Sequence, residues 1–449
     1  MWQVSQKFFL LNPKRLSLKD MNLVSFINEI NFTVLFPVFL LLKLLLETYL
    51  KQRNIQSMQK NKDAIPPRFV GVVTEEEYEK SINYNTEKIR FSIYTALISV
   101  GVLLLFTIGG LLSWLTTIVS SITSSNVIGI VLLGLFLVLL NELIDIPLSI
   151  YSTFYLEEKY GFNKTTKKTF IQDLLKGFVI QVSISSVLYS VVIIILEQLG
   201  DNWWIYAFAA VFILQVVIVY LYPVLILPLF NKLEPITDEK FKEPIDKLLN
   251  KINFKAKGLF VMDGSLRSSH GNAFFTGFGN NKRIVFYDTL LETITPTEME
   301  SILGHELGHY KLGHIRRTMI SSIFFSFFGF YILGQVFKAE QFFLKHGLDE
   351  VTLYSKFLLF YLVIGSYTFF TRPITSYISR QREFAADDFS IQYTKVESMI
   401  SGLLKLSKDN ASNLTPDPLF SAYYYSHPPI AERVKSLEGK KDLGNAENK

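Results

Sequence analysis

The sequence predicts an all-α-dominated integral membrane protein with seven transmembrane helices and one polar segment that holds a small β-sheet. Three observations lead there. Of the 449 residues, 49% are hydrophobic, and the mean hydropathy is positive. The apolar residues gather into blocks of about 20 or more, enough at about 1.5 Å per residue to cross a hydrocarbon layer roughly 30 Å thick. Aromatic residues are abundant, with 39 Phe and 22 Tyr, as expected of lipid-facing helices with aromatic ends. Length alone fits a soluble chain of two or three domains equally well, so the distribution carries the assignment.

The blocks lie near residues 30–50, 92–118, 127–150, 175–196, 203–230, 318–338 and 353–372. The first contains Lys43 and Glu47, whose charged ends can snorkel to the polar side if the helix runs long. No cleavage site of small residues follows it, so it reads as a retained helix and not as a signal peptide. The loops between blocks alternate in charge. Residues 51–91 carry eight Lys and Arg, residues 120–126 none, the loop 151–174 carries Lys159, Lys164, Lys167 and Lys168, and residues 197–202 carry none. The segment 231–317 and the C-terminal tail are again basic. Under the positive-inside rule the N-terminus is outside, and every odd loop and the C-terminus are cytoplasmic. Lys7, Lys14, Arg15 and Lys19 dissent but are outvoted by five concordant loops. On this reading residues 1–230 form a membrane domain of five spans, and residues 231–449 a second domain with the other two.

The chain has no cysteine, which excludes disulfides and thiolate metal sites and leaves His and carboxylate as ligands. The net charge of +5 is modest and its signs are interleaved, so no nucleic-acid partner is expected.

The longest polar stretch, 231–317, contains the chemistry. Thr295 is a helix N-cap, Pro296 takes the first helical position and Glu298 closes a capping box. Four residues apart on that helix, His305 and His309 can present two imidazoles to one tetrahedral ion. Glu306 lies beside them, where it can take a proton from water that the metal activates. The other reading is a surface helix with solvated side chains, but the segment follows a strand-rich stretch and leads straight into a membrane span. A catalytic zinc usually has three protein ligands. The extended pattern with a third His six residues on is absent, since Leu312 and Ile315 stand there. His314 lies about 140° around a continuous helix from His309 and points elsewhere on that reading. The best third ligand is Glu383, just after the seventh block; small Ala385 and Ala386 would let its helix pack closely against the His305 helix. Glu383 pairing only with Arg380 or Arg382 is the alternative. Asp387, one turn on, can bond a ligating imidazole or assist proton transfer.

Gly258 to Met262 and Arg283 to Tyr287 read as strands flanking Ala273 to Phe278. An edge strand there can pair with an extended peptide, and Asn272 can bond its backbone or its own turn. His427 and Arg433 read either as groups for an oxyanion or substrate carbonyls, or as a cap and a surface charge. His270, His314 and His346 read as structural or solvated. Glu142 and Asp145, one turn apart within the third block, line a cavity or tie to a neighbouring helix.

Along nearly its whole length the chain resembles the zinc-dependent CAAX prenyl protease family, whose eukaryotic members trim prenylated yeast mating pheromone and the nuclear lamin precursor. The resemblance rests on Thr153-Phe154 with Glu157 to Thr165, Leu303 to His309, Glu383 to Asp387, Ser269 to Phe275, and Ser426-His427-Pro428-Pro429 with Glu432-Arg433. Gly271 stands where the family pattern leads one to expect Ser. The resemblance implies one Zn(2+) per chain held by His305, His309 and Glu383, with Glu306 as general base. It also implies a zincin-like domain and a water-filled chamber walled by seven helices. Asp387 and His427 are then catalytic, and Asn272 and Arg433 bind substrate. The expected activity is an endopeptidase acting near the C-terminus of prenylated CAAX-type or other membrane-associated substrates. Competing readings are a quality-control protease of broad specificity, a transporter or channel with a structural zinc, and an anchored binding protein. The transporter reading does not need Glu306, and the spans show no internal repeat. With no organelle retrieval signal evident, a bacterial inner membrane is the expected location, with the endoplasmic reticulum as the alternative.

Overall fold

The computed structural model describes residues 22–254, 258–276 and 283–447, with side chains described as far as residue 440. The dissenting N-terminal charges lie outside these residues, as do Gly277 and Phe278. Among the described residues seven helices are long and apolar enough to cross a membrane: Phe32–Lys60, Glu75–Phe106, Asn126–Glu157, Lys167–Gln198, Gly200–Phe230, His314–Lys338 and Leu353–Ile391. Each bears one of the predicted blocks. Only 6% to 33% of each apolar window is buried within the protein, which is too little for a filled bundle. The spans instead pack in series: sixth on fifth, fifth on fourth, fourth on third, third on seventh, seventh on first and first on second. The result is a wall of helices.

The first span runs long, as its charges require. Lys51 Nζ donates to Glu47 Oε1 at 2.7 Å and to the Ser92 carbonyl at 3.0 Å, and the Lys43 ammonium lies 5.6 Å from the centre of the Phe369 ring. The second span differs from the prediction. Its helix ends at Phe106, and Leu111–Ile122 is a separate short helix that packs beside it. The break falls at Gly110, whose φ of +78° a side chain would resist. Hydropathy is continuous across that break, so the apolar block concealed it. The seventh helix also outruns its block, continuing through a tight turn at Phe369–Thr371 into Arg372–Ile391. Of the two intramembrane acids on the third span, Glu142 is half-buried and Asp145 exposed, and neither forms a hydrogen bond or ion pair among the described residues.

The polar segment folds as expected and carries the sheet: β1 Leu233–Pro235, β2 Gly258–Met262, β3 Ala273–Thr276 and β4 Arg283–Tyr287. The strand order is β1-β2-β4-β3, with β2 and β4 parallel and the outer strands antiparallel, so β3 is an edge. Ile284 and Phe286 of β4 form one core with Met299, Leu303 and Leu307 of the helix Pro296–Lys311, which we call the motif helix. Thr295 and Glu298 close the predicted capping box. Glu298, itself buried, also accepts from Ser401 and Lys405, which ties the helix start to Val396–Asp409.

The motif helix meets its most extensive partner, Arg372–Ile391, along a seam of small residues. A Cβ at Gly304 would stand 2.7 Å from Ser390 Oγ, and one at Gly308 only 3.1 Å from the Cα and carbonyl oxygen of Ala386. Ser390 Oγ closes the seam by donating to the Ser301 carbonyl at 2.7 Å. The Ala386 backbone cannot yield as a flexible side chain would. Gly308→Val should therefore cost about 1–3 kcal/mol through overpacking. The expected readout is a lower thermal midpoint in detergent, with Leu312→Val, at an exposed position, as the unchanged control.

Candidate metal centre

The seam sets the separation of three side chains. His305 and His309 project from one face of the motif helix, with their Nε2 atoms 3.2 Å apart. From the opposing helix, Glu383 places Oε2 3.3 Å from His305 Nε2 and Oε1 3.3 Å from His309 Nε2. An ion held tetrahedrally with bonds of about 2.0 Å sets its ligand atoms about 3.3 Å apart. Glu383 is buried, and its Oε2 has no hydrogen-bond partner among the described residues, although His427 Nδ1 approaches it to 2.7 Å. Three converging donors around an orphaned buried oxygen fit a divalent metal ion. Glu306, next along the motif helix, is half-buried and makes no hydrogen bond or ion pair among the described residues.

Behind the trio lies a buried charge pair. Asp387, one turn after Glu383, meets His305 Nδ1 at 2.8 Å, so it reaches the imidazole on the side away from Glu383. Arg433 clasps Asp387 in turn, through Nε at 2.8 Å and Nη2 at 2.5 Å. Arg433 is only 6% exposed and stands one layer further back than a substrate-holding role would put it. Its Nη1 is 3.9 Å from Glu383 Oε2. Burial pushes the pKa of His305 down, but the bonds to Asp387 and Glu383 outweigh it and lift it to about 9.

On a continuous helix His314 would point away from the site. The structure corrects this. The motif helix ends at Lys311, Gly313 takes a left-handed φ of 70°, and a new helix begins at His314. The turn brings His314 Nδ1 to 3.1 Å from His309 Nδ1. A glycine after the last periodic position was the only signal in the sequence that could have revealed this break. The other two unassigned histidines are structural. His270 stacks on Phe162 at 4.4 Å, and His346 is fully buried between the Phe342 carbonyl and the Tyr367 hydroxyl.

A cleft of about 740 Å³ has His427 and Asn272 in its lining. The turn bearing His427 is pinned by Arg380, whose Nη1 donates to the carbonyls of Ser421, Ala422 and Tyr425. Arg380 and Arg382 therefore do not pair with Glu383; Arg382 donates to Thr318. Asn272 is exposed at the start of edge strand β3, with its own Oδ1 accepting from the Ala273 amide. The loop after the third span clasps this segment from behind. Ser269 donates to the Phe162 carbonyl and Lys164 to the Arg267 carbonyl, while Asn410, following the helix Val396–Asp409, bridges His270 and Gly271.

Two imidazoles and a carboxylate converge beside a half-buried glutamate, on helices continuous with or adjacent to membrane spans. Fold and site together define a membrane-embedded metallopeptidase. Comparison with known proteins agrees. Residues 54–232 match the family model for the CAAX prenyl protease N-terminal region of five membrane helices, and residues 235–441 match that of peptidase family M48. The CAAX prenyl protease 1 homologue of Arabidopsis thaliana is 33% identical, across 90% of this chain and 96% of that protein. The human homologue is 32% identical, across 88% and 93%. The crystal structure of Ste24p from S. mikatae superposes with a TM-score of 0.84 at 29% identity, covering 90% of this chain and 99% of that one. The chain belongs to the CAAX prenyl protease family within peptidase family M48, and it is an integral, multi-pass membrane metalloendopeptidase.

With its pKa near 9, metal-free His305 is protonated at neutral pH, and an entering ion must displace that proton. Metal affinity of the stripped protein should thus fall roughly tenfold for each pH unit of acidification below that value. Calorimetry of metal uptake in two buffers of different ionisation enthalpy measures the released proton.

Proposed function

We propose that the chain is a zinc endopeptidase that cleaves near the C-terminus of prenylated CAAX-type or other membrane-associated substrates. The observation that carries this reading is the trio His305, His309 and Glu383, set at tetrahedral spacing beside Glu306. The donor set is two imidazoles and one carboxylate, which suits zinc with a position left open for chemistry. When bound, zinc supplies a Lewis acid that polarises a carbonyl and makes a water acidic.

The protein's own groups do the rest. His305, His309 and Glu383 hold the ion. Glu306 accepts the proton of the attacking water and returns it to the leaving amine. His427, exposed to the cleft, stabilises the developing charge on the scissile carbonyl oxygen. Asn272 and the free edge of β3 hold the substrate as an added strand. Asp387 fixes the ring of His305 through Nδ1 and has Arg433 as its counter-charge. This makes Asp387 a positioning group in our reading, and Arg433, buried behind it, supports that carboxylate in place of the substrate-binding role expected of it.

Residues 1–230 serve as the membrane domain and 231–449 as the peptidase domain, a division supported by the limits of the two family matches. The positive-inside pattern supports a metal centre on the cytoplasmic side. The relatives named above are eukaryotic, so we favour the endoplasmic reticulum over a bacterial inner membrane. Prenylated substrates are cleaved by this reading because the named relatives are CAAX prenyl proteases.

The test is cleavage of a farnesylated CAAX peptide and an unprenylated control by detergent-purified protein, wild type beside Glu306→Gln, with zinc measured on both. Glu306→Gln should keep its zinc and lose at least about a hundredfold in turnover, the usual contribution of a general base. Equal cleavage by the variant would remove Glu306 from the reaction. Equal cleavage of both peptides would remove the prenyl group from recognition.

A further inference from the structure

His305 and His309 are backed differently. His305 meets the carboxylate of Asp387 through Nδ1. His309 meets another imidazole, that of His314, whose Nδ1 lies 3.1 Å from its own with the two rings at 69°. His314 is 6% exposed and His309 half-buried, so the contact lies partly withdrawn from water.

Two ring nitrogens this close need one proton between them, since two lone pairs would repel and two N–H groups would clash. The Nε2 of His309 faces His305 and Glu383. To ligate through Nε2, a neutral imidazole must keep its proton on Nδ1. His309 is therefore the donor of the pair, and His314 accepts through Nδ1 and carries its own proton on Nε2.

We propose that His314 is a positioning residue of the metal centre: it fixes the tautomer and ring angle with which His309 presents Nε2 to the ion. The inference rests on the reading of His305, His309 and Glu383 as the ligands. It extends the ligand sphere to the membrane side, because His314 opens the sixth span. The residue that orients one ligand is the first residue of a transmembrane helix, and the Gly313 turn makes that possible. His314 is a neutral acceptor where Asp387 is an anion, so the two imidazoles receive unequal support.

The test is the zinc affinity of the stripped, detergent-purified full chain, by competition with a chromophoric chelator. His314→Phe keeps a ring in the space but has no acceptor. His314→Asn carries an amide oxygen where Nδ1 lay, and His314→Asp places a carboxylate there. Loss of an outer hydrogen bond to a ligating histidine weakens metal binding by about 10- to 100-fold, and that loss is expected of His314→Phe. The metal-free variant should still melt with the metal-free wild type. His314→Asn should stay within about threefold of the wild type, and His314→Asp should bind about threefold tighter or better, because a carboxylate makes the ligand more basic. Wild-type affinity in His314→Phe, or equal loss in the Phe and Asn variants, overturns the proposal. Should His314→Phe fail to fold, His314→Asp decides alone, with affinity at or below the wild type counting against it. His309→Ala is the control for the underlying reading. If it takes up zinc as well as the wild type, the ligand assignment fails, and the role of His314 falls with it.

Discussion

Everything at the centre depends on how closely two helices approach. Helices carrying ordinary side chains pack with axes about 8–10 Å apart. Glu383 must cross that gap with a short side chain and meet two imidazoles rooted on the other helix. Gly304 and Gly308 face Ala386 and Ser390, and there is no room for a larger side chain at either glycine. The distances of 3.2 and 3.3 Å among the three donors are the product of that seam. The sheet packs against the other side of the motif helix, so the helix is clamped between a β core and its partner.

Electrostatics then fixes what the seam brings together. Two carboxylates, Glu383 and Asp387, are both buried within one helical turn, an arrangement that is costly without counter-charges. Arg433 supplies one such charge, bonded to both oxygens of Asp387. With that pair neutralised, an incoming cation meets the Glu383 carboxylate and the proton of His305 that it must displace.

Much of this was legible in the sequence, because local chemistry dictated it. The Thr295-Pro296 start, the four-residue spacing of His305 and His309, the strands at 258–262 and 283–287, and the apolar blocks are each properties of a short window. Glu383 was less so. Its position and the small Ala385 and Ala386 beside it favoured the metal but left pairing with Arg380 or Arg382 open, and the resemblance strengthened the ligand reading. The structure gives both arginines other partners, namely the carbonyls around Tyr425 and the hydroxyl of Thr318. What stayed hidden depends on breaks and on distant partners. Gly110 ends a helix inside an unbroken apolar run, and Gly313 turns the chain so that His314 returns to His309. Arg433 looked like a surface or substrate charge because its partner, Asp387, lies 46 positions away.

The long sequence separations within the centre have a consequence for how the protein is made. Asp387 stands 82 positions after His305, and Arg433 stands 128 positions after it. Between the histidines and Glu383 the chain must lay down its sixth and seventh spans. A nascent chain therefore displays the two imidazoles and Glu306 well before Glu383 is made. The last helix, which brings Arg433, follows later still. The three donors can thus meet only once both the sixth and the seventh spans have been made, which places assembly of the centre among the last steps of the chain's maturation.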